Sequence, residues 1–393
     1  MYSIDEATTL KKQIQIVCSL SAPAILAQLS SIIMQYIDAA MVGSLGASSS
    51  AAIGVVASST WLFYGIISAT CTGFSVQVAQ SVGAKDFSRS RQITRQAFLI
   101  VSFLSLVFAS VAMILSFYLP TLLGAAEEIK ADATAYFFIF ALTLPFTMLS
   151  SLGTALLEGS GNMKVPRILN SLLCALDVVF NALCIFILKM GVAGAATGTL
   201  LSQIVVCALL FYFVFKKTPS LQLTKAEKWS IDSDCVRKAL RISLPMAADQ
   251  LALGGAQIVS TKVVAPLGTI ALAANSFAVT AEAFCYMPGY GIQSAATALV
   301  GQSAGAKNSR LAKRFAWLSV ILGMSVMALT GAIMYFISPL VFAFLTPVEA
   351  VRELGVKVLR IELLAEPFFA ASIVSAGALR GVGDTLFCGI MNL

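Results

Sequence analysis

The sequence contains no histidine, and this absence excludes two large classes of site. Metal centres built on imidazole ligands and Ser-His-Asp hydrolase triads both require that side chain. The chain also lacks the GxxxxGK(S/T) motif that cradles ATP phosphates, which argues against direct ATP drive. Its eight cysteines are scattered and form no CxxC pair, so we interpret them as small buried hydrophobic residues.

Charged residues are also scarce in this sequence. They make up 11% of the chain, whereas a soluble domain has about 25%. Hydrophobic residues instead make up 58% of the 393 positions, and the mean hydropathy is +0.89. The apolar runs are long and do not alternate with polar residues, so they are typical of helices rather than barrel strands. The sequence therefore predicts an all-α, polytopic transmembrane helix bundle.

Eleven apolar segments are predicted to span the membrane. They lie near 14–41, 51–80, 96–120, 131–157, 166–188, 192–215, 240–265, 270–301, 315–341 and 350–379, with a last one that begins near 386. The first segment is too long for a cleavable signal peptide.

The net charge of +7 comes from alternate connections between these segments. Most of the lysines and arginines fall near 11–12, 85–95, 164–167, 216–241 and 307–314, and at Arg380. Connections 42–50 and 266–270 hold none. This positive-inside pattern predicts a multi-pass protein of the plasma (inner) membrane with a cytoplasmic N-terminus. The excess of lysine and arginine is therefore explained by membrane topology, and we expect no nucleic-acid partner.

The two halves of the chain repeat each other at a constant offset, which is the separation of Pro23 from Pro245. The same offset, called the repeat offset below, relates "QSVGAKD" (80–86) to "QSAGAKN" (302–308), and "LEGSGN" (157–162) to "LRGVGD" (379–384). Six spans in each unit is an even number, which predicts two parallel six-helix lobes related by an axis along the membrane normal.

These lobes divide the chain into three predicted regions. They are an N-terminal lobe at 1–217, a cytoplasmic linker at 218–238 and a C-terminal lobe at 239–393. The second lobe holds its first four spans and the start of a fifth, so we expect a C-terminally truncated chain.

Several motifs together resemble one known family. They are "DAAMVGSLG" (38–46), "QSVGAKD", "LEGSGN", "MGVAGAATGT" (190–199) and "LRGVGDT" (379–385). In this order, and partly duplicated, they resemble the multidrug and toxic compound extrusion (MATE) family, in particular its DinF-like branch. The resemblance implies two lobes of six helices, a central cavity, and export of drugs or metabolites driven by inward movement of H⁺ or Na⁺.

Asp38 is the only Asp, Glu, Lys or Arg between Lys12 and Lys85. A charge deep in a membrane costs about 2.5–3.5 kcal/mol on insertion scales, so a carboxylate there is a candidate for binding a proton, Na⁺ or a cationic drug. The alternative is that Asp38 reaches the outer interface. Asp177 and Asn181 are four residues apart and share one helix face, from which they can converge on Asp38.

The resemblance adds functional roles to these positions. It implies that Asp38 is the essential acid of the DinF-like branch and that Thr199 faces the same site. In that branch the asparagine precedes the aspartate on the fifth span, whereas here the order is reversed. The predicted ion-coupling set is therefore Asp38, Asp177, Asn181 and Thr199.

A second set of polar residues is predicted to bind substrate or a second cation. Gln35 lies three residues before Asp38, and Asp249 lies on the seventh span. Glu282 precedes Pro288, which frees a backbone carbonyl and can kink the eighth span. We expect no catalytic set, no metal site and no cofactor beyond the coupling ion.

Taken together, the sequence predicts a secondary antiporter that exports cationic or amphipathic small molecules in exchange for H⁺ or Na⁺. An acidic membrane interior favours cationic cargo. We expect a monomer whose partners are its cargo and membrane lipids, and not an enzyme. Two alternatives stay open, a flippase for lipid-linked polysaccharide precursors, which shares the architecture, and a non-transporting membrane receptor or scaffold.

Overall fold

The computed structural model describes residues 9–123, 125–222, 232–346 and 348–392. In the first half the helices are α1 (Leu10–Gly43), α2 (Ala47–Gly83), α3 (Phe87–Ser116), the short α4 (Leu119–Leu122), α5 (Glu127–Gly159), α6 (Lys164–Ala182) and α7 (Gly191–Tyr212). In the second half they are α8 (Ser233–Val264), α9 (Thr269–Gly305), α10 (Ser309–Leu345), α11 (Glu349–Glu362), α12 (Glu366–Val382) and α13 (Thr385–Asn392). The predicted all-α class is confirmed.

Seven of the described helical segments are long and apolar enough to cross a membrane. They are Leu10–Gly43, Ser48–Gly83, Phe87–Ser116, Glu127–Gly159, Lys164–Ile187, Gly191–Lys217 and Ser309–Leu345. Large apolar side chains also cover the outer surface, and on α10 Phe336 is 77% exposed and Phe344 is 92% exposed. Such surfaces are stable in lipid and unstable in water, which confirms a multi-pass membrane protein.

The sequence repeat is a structural repeat. The first residues of α2 and α9, Ala47 and Thr269, are separated by the repeat offset, and so are the first residues of α3 and α10. Before α3, the Asp86 side chain accepts a hydrogen bond from the backbone N–H of Arg89 at 2.9 Å. Asn308 caps α10 in the same way, from Leu311 N at 3.0 Å. The "GAKD" and "GAKN" motifs are therefore the same helix-start turn in each lobe.

The two lobes make equivalent contacts with each other. α1 of the first lobe packs on α9, and its counterpart α8 packs on α2. Between them, α2 and α9 cross at their C-terminal ends, where Gly83 meets Gln302 and Gly305 meets Gln80. A Cβ added to either glycine would lie 1.8 Å from the facing glutamine's backbone oxygen, so only glycine permits this approach.

Two equivalent side-chain hydrogen bonds close the same end of the bundle. The Gln80 Nε2 donates to the carbonyl of Gly381 at 3.1 Å, and the Gln302 Nε2 donates to the carbonyl of Gly159 at 2.9 Å. Both bonds join one lobe to the other. We call this end, which holds the turns at Lys85 and Lys307, the basic end, and the lobes meet tightly there.

The predicted span at 350–379 is not one continuous helix. α11 ends at Glu362, a 3₁₀ turn runs over Leu363–Ala365, and α12 starts at Glu366. Pro367 favours a break here, because its ring has no N–H to donate and collides with the carbonyl four residues earlier, at Leu363.

The predicted linker at 218–238 is only partly described. Residues 223–231 lie outside the described residues, and α8 begins at Ser233. At its start, Arg89 of α3 forms an ion pair with Asp232 at 2.8 Å. The boundaries of the three predicted regions stay predictions.

Candidate functional site

A polar cluster lies where α1, α6 and α7 meet. The Asn181 Nδ2 donates to Asp38 Oδ1 at 2.9 Å and to Asp177 Oδ2 at 2.9 Å. One amide therefore bridges two carboxylates, one on α1 and one a turn away on α6. The structure thus brings together the three residues that the sequence places on convergent helix faces.

The cluster is shielded from solvent. Asp177 is 0% exposed and Asn181 is 1% exposed, whereas Asp38 is half-buried. The Thr199 hydroxyl lies beside the Asp177 carboxyl and donates to the carbonyl of Ala195 at 3.2 Å. Asp177 Oδ1 is buried without a hydrogen-bond partner among the described residues. A buried acceptor in this state is costly, and a bound cation would satisfy it.

Local backbone features hold Asn181 in place. A π-helical turn at Leu183–Ile187 follows it closely, and such turns are frequent at functional sites. On α7, a Cβ added to Gly198 would lie 2.1 Å from Asn181 Oδ1, so glycine is required for the close contact between α6 and α7. Gly198 belongs to the "MGVAGAATGT" motif, which explains part of that motif in structural terms.

The residues of the second predicted set have different surroundings. Gln35 is exposed, and Asp249 is 3% exposed and forms an ion pair with Arg380 at 3.3 Å. Glu282 is half-buried on α9 and interacts electrostatically with Glu362 and Glu366, which flank the break between α11 and α12. Asp249 is therefore part of an ion pair between α8 and α12.

Glu366 is a buried acid that belongs to neither predicted set. This side chain is 1% exposed, and neither carboxylate oxygen has a hydrogen-bond partner among the described residues. Its position immediately before Pro367 marks the helix break, and this dipeptide is the signal that could have identified it. Described acidic and cysteine side chains form no group of three arranged to hold a metal ion.

A cavity of about 530 Å³ lies between the lobes, on the basic-end side of the cluster. Its lining includes Ser31, seven residues before Asp38, and Leu173, four residues before Asp177. At about 1.5 Å per residue, these positions lie roughly 6–10 Å from the carboxylates along the same helices. Glu158 of the first lobe and Arg380 of the second also line it.

Two parallel lobes, a cavity between them and buried carboxylates beside it define the class: a polytopic membrane transporter, not an enzyme. The MatE family pattern matches residues 23–183 and 245–393, two segments whose starts are separated by the repeat offset. The chain belongs to the MatE family, the multidrug and toxic compound extrusion transporters.

Individual relatives agree with this assignment. A probable multidrug resistance protein NorM of Thermotoga maritima is 24% identical, with 97% of this chain and 82% of that protein covered. The multidrug resistance protein PmpM of Pseudomonas aeruginosa is 23% identical, with 98% and 82% covered. These likenesses support a transporter of small molecules.

Solved structures share the fold. A crystal structure of a mutant of the Vibrio cholerae MATE transporter VcmN superposes with a TM-score of 0.92 at 18% identity, covering 97% of this chain and 86% of that one. A MOP superfamily transporter of Pyrococcus furiosus superposes with a TM-score of 0.91 at 20% identity, covering 97% and 85%. The predicted two-lobed MATE/MOP-like architecture is confirmed.

Proposed function

We propose that this protein is a secondary antiporter that exports small organic cations in exchange for H⁺ or Na⁺. The main support is the Asn181 amide, which donates a hydrogen bond to Asp38 and another to Asp177, each at 2.9 Å, in a position shielded from solvent. Two carboxylates held this close repel each other when both are ionised, so the pair favours an arrangement with a bound cation. The coupling ion enters at Asp38, Asp177, Asn181 and Thr199.

The proposed cycle is alternating access between the lobes. An ion arriving from outside the cell neutralises the carboxylate pair, and this changes the hydrogen bonds that tie α1 to α6. Because α1 also packs on α9 of the second lobe, a change in α1 shifts the equilibrium between the lobes. The membrane potential supplies about 2.3 kcal/mol per charge per 100 mV.

The cytoplasmic orientation of the basic end is part of the proposal. The repeated turns at Lys85 and Lys307 and the start of α6 at Lys164 lie at that end, as the positive-inside rule requires of cytoplasmic connections. The structure is closed there by the Gln80 and Gln302 hydrogen bonds, which supports an outward-facing state. We propose a monomer in the plasma membrane, surrounded by lipid.

The test uses the protein in lipid vesicles. Uptake of a labelled organic cation is followed under a pH gradient and, separately, under a Na⁺ gradient, for the wild type and Asp38→Asn. We expect uptake under one gradient and its loss in the variant. No uptake under either gradient would reject the antiporter and favour the flippase or the receptor.

A further inference from the structure

We infer that the inter-lobe cavity contains a cargo subsite centred on Glu158, and that it selects small hydrophilic amines over lipophilic cations. This inference rests on the proposed function, because it names the cargo of the same transporter. Glu158 lies outside the ion-coupling cluster and has no role in it.

The cavity lining is rich in hydrophilic side chains. Ten serine and threonine residues contribute hydroxyl groups, and four more residues carry amides. The aromatic lining consists of Tyr64 and Tyr290. Cation–π binding of a lipophilic cation needs aromatic faces, which are few here, whereas hydroxyls and amides pair with a ligand that has N–H groups.

Glu158 places a carboxylate at the lobe boundary of this cavity. It is the second-last residue of α5, and the Ser294 hydroxyl of α9, in the other lobe, donates a hydrogen bond to its Oε2. The described residues supply no cationic side chain within ion-pair distance of Glu158. The carboxylate therefore offers an acceptor for a cation that enters the cavity.

The repeat counterpart of Glu158 is Arg380, one repeat offset later in the chain, and it also lines the cavity. Its positive charge is offset by Asp249, 3.3 Å away and 3% exposed. The two symmetry-related positions thus have opposite charges, but only Arg380 has a counterion among the described residues. The uncompensated charge of the cavity is negative, which favours a cation.

Polar lining groups also discriminate between kinds of cation. Two lining atoms, Ser150 Oγ and Gln203 Oε1, are buried without a hydrogen-bond partner among the described residues, and a ligand without hydrogen-bonding groups would leave them unpaired. A linear or hydroxylated amine can donate hydrogen bonds to these two acceptors while its ammonium group binds Glu158. Binding there competes with Ser294, so cargo acts directly on a contact between the lobes.

The test compares two probes, spermidine and tetraphenylphosphonium, with purified protein in vesicles. We expect spermidine to be transported and tetraphenylphosphonium to compete weakly. Glu158→Gln should raise the KM for spermidine by about tenfold or more, as loss of a charged hydrogen bond predicts. The matched control is Glu128→Gln, an exposed glutamate of the same helix, and its KM should equal that of the wild type.

A second readout keeps the test decisive if transport of a variant is low. Spermidine should raise the thermal unfolding temperature of the detergent-solubilised wild type and of Glu128→Gln, but not that of Glu158→Gln. An unchanged KM in Glu158→Gln, or transport of tetraphenylphosphonium but not spermidine, would overturn the subsite and leave the antiporter intact. Transport of neither probe under any gradient would overturn both proposals.

Discussion

The side-chain amide of Asn181 on α6 donates a hydrogen bond to the carboxylate of Asp38 on α1, 2.9 Å away. The two residues are 143 positions apart in the chain, and α1 also packs on the second lobe through α9. This one bond therefore connects a buried acid-binding amide of the first lobe to the helix that contacts the other lobe. In the proposed cycle, ion binding at the cluster changes the packing of the lobes through this connection.

Asn181→Leu removes the bridging amide while keeping a similar shape. We expect lower stability, by roughly 1.5–3 kcal/mol for a hydrogen bond to a charged group, and loss of ion-driven uptake. Thermal unfolding in detergent and vesicle uptake measure the two effects. The comparison is Asn170→Leu, which removes other bonds between α6 and α1, to Ala27 at 2.7 Å and Ser31 at 3.0 Å. If both variants kept the same dependence on the ion gradient, Asn181 would have no special role.

Gly198→Ala tests the packing that positions Asn181. The new Cβ would lie 2.1 Å from Asn181 Oδ1, so α6 and α7 must separate or the amide must rotate. We expect the transport defect of Asn181→Leu to be reproduced, with at least a comparable loss of thermal stability. Gly54→Ala is the control, because a Cβ at this exposed helical position meets nothing within 4 Å. A Gly198→Ala protein with normal uptake would contradict the geometry.

Gly83→Ala should open the basic end. Its Cβ would lie 1.8 Å from the backbone oxygen of Gln302, which prevents the closed crossing of α2 and α9. We expect Ser68→Cys, in the cavity lining, to react faster with a membrane-impermeant thiol reagent added on the basic side, in a background without native cysteines. Gly43→Ala has no neighbour within 4 Å and serves as control. Equal labelling rates in both variants would show that this crossing does not seal the bundle.

The ion pair between Arg89 and Asp232 gives a prediction about pH. The hydrogen bond from Arg89, at 2.8 Å, holds the pKa of the Asp232 carboxyl below its ordinary value. A carboxyl with a depressed folded-state pKa stabilises the fold above its unfolded pKa of about 3.9, and this contribution is lost as pH falls through the lower value. Arg89→Gln should therefore lower the Tm slightly and equally at about pH 6 and about pH 8.

The control for this pair is Arg310→Gln, which changes an exposed arginine at the start of α10. It should leave the Tm unchanged at both values of pH. If Arg89→Gln lowered the Tm by different amounts at the two values of pH, a group other than Asp232 would dominate the effect. Both side chains are half-buried, at 29% and 28% exposure, so solvent screening keeps the effect small in either case.

Local patterns predicted much of this molecule. Unbroken apolar runs predicted the helices, the constant repeat offset predicted the two lobes, and the four-residue spacing of Asp177 and Asn181 placed both on one face. These features depend on neighbours in sequence or on duplication. The same logic identified Asp38 as the acid that the first span retains.

Features set by tertiary packing were not predictable. Pro145 lies inside the continuous α5, whereas its repeat counterpart Pro367 accompanies a break, so proline alone does not determine the interruption. The pairing of Asp249 with Arg380 joins residues 131 positions apart. Such a contact follows from how α8 and α12 meet, and no short motif encodes it.

In the proposed mechanism, Asp38 and Asp177 couple ion movement to cargo movement. The most direct test measures two fluxes in the same vesicles for Asp38→Asn combined with Asp177→Asn: exchange of labelled for unlabelled cargo without a gradient, and net accumulation driven by the coupling ion. The double variant should keep exchange and lose accumulation, while the wild type should show both. Ion-driven accumulation at the wild-type level in the double variant would contradict this mechanism.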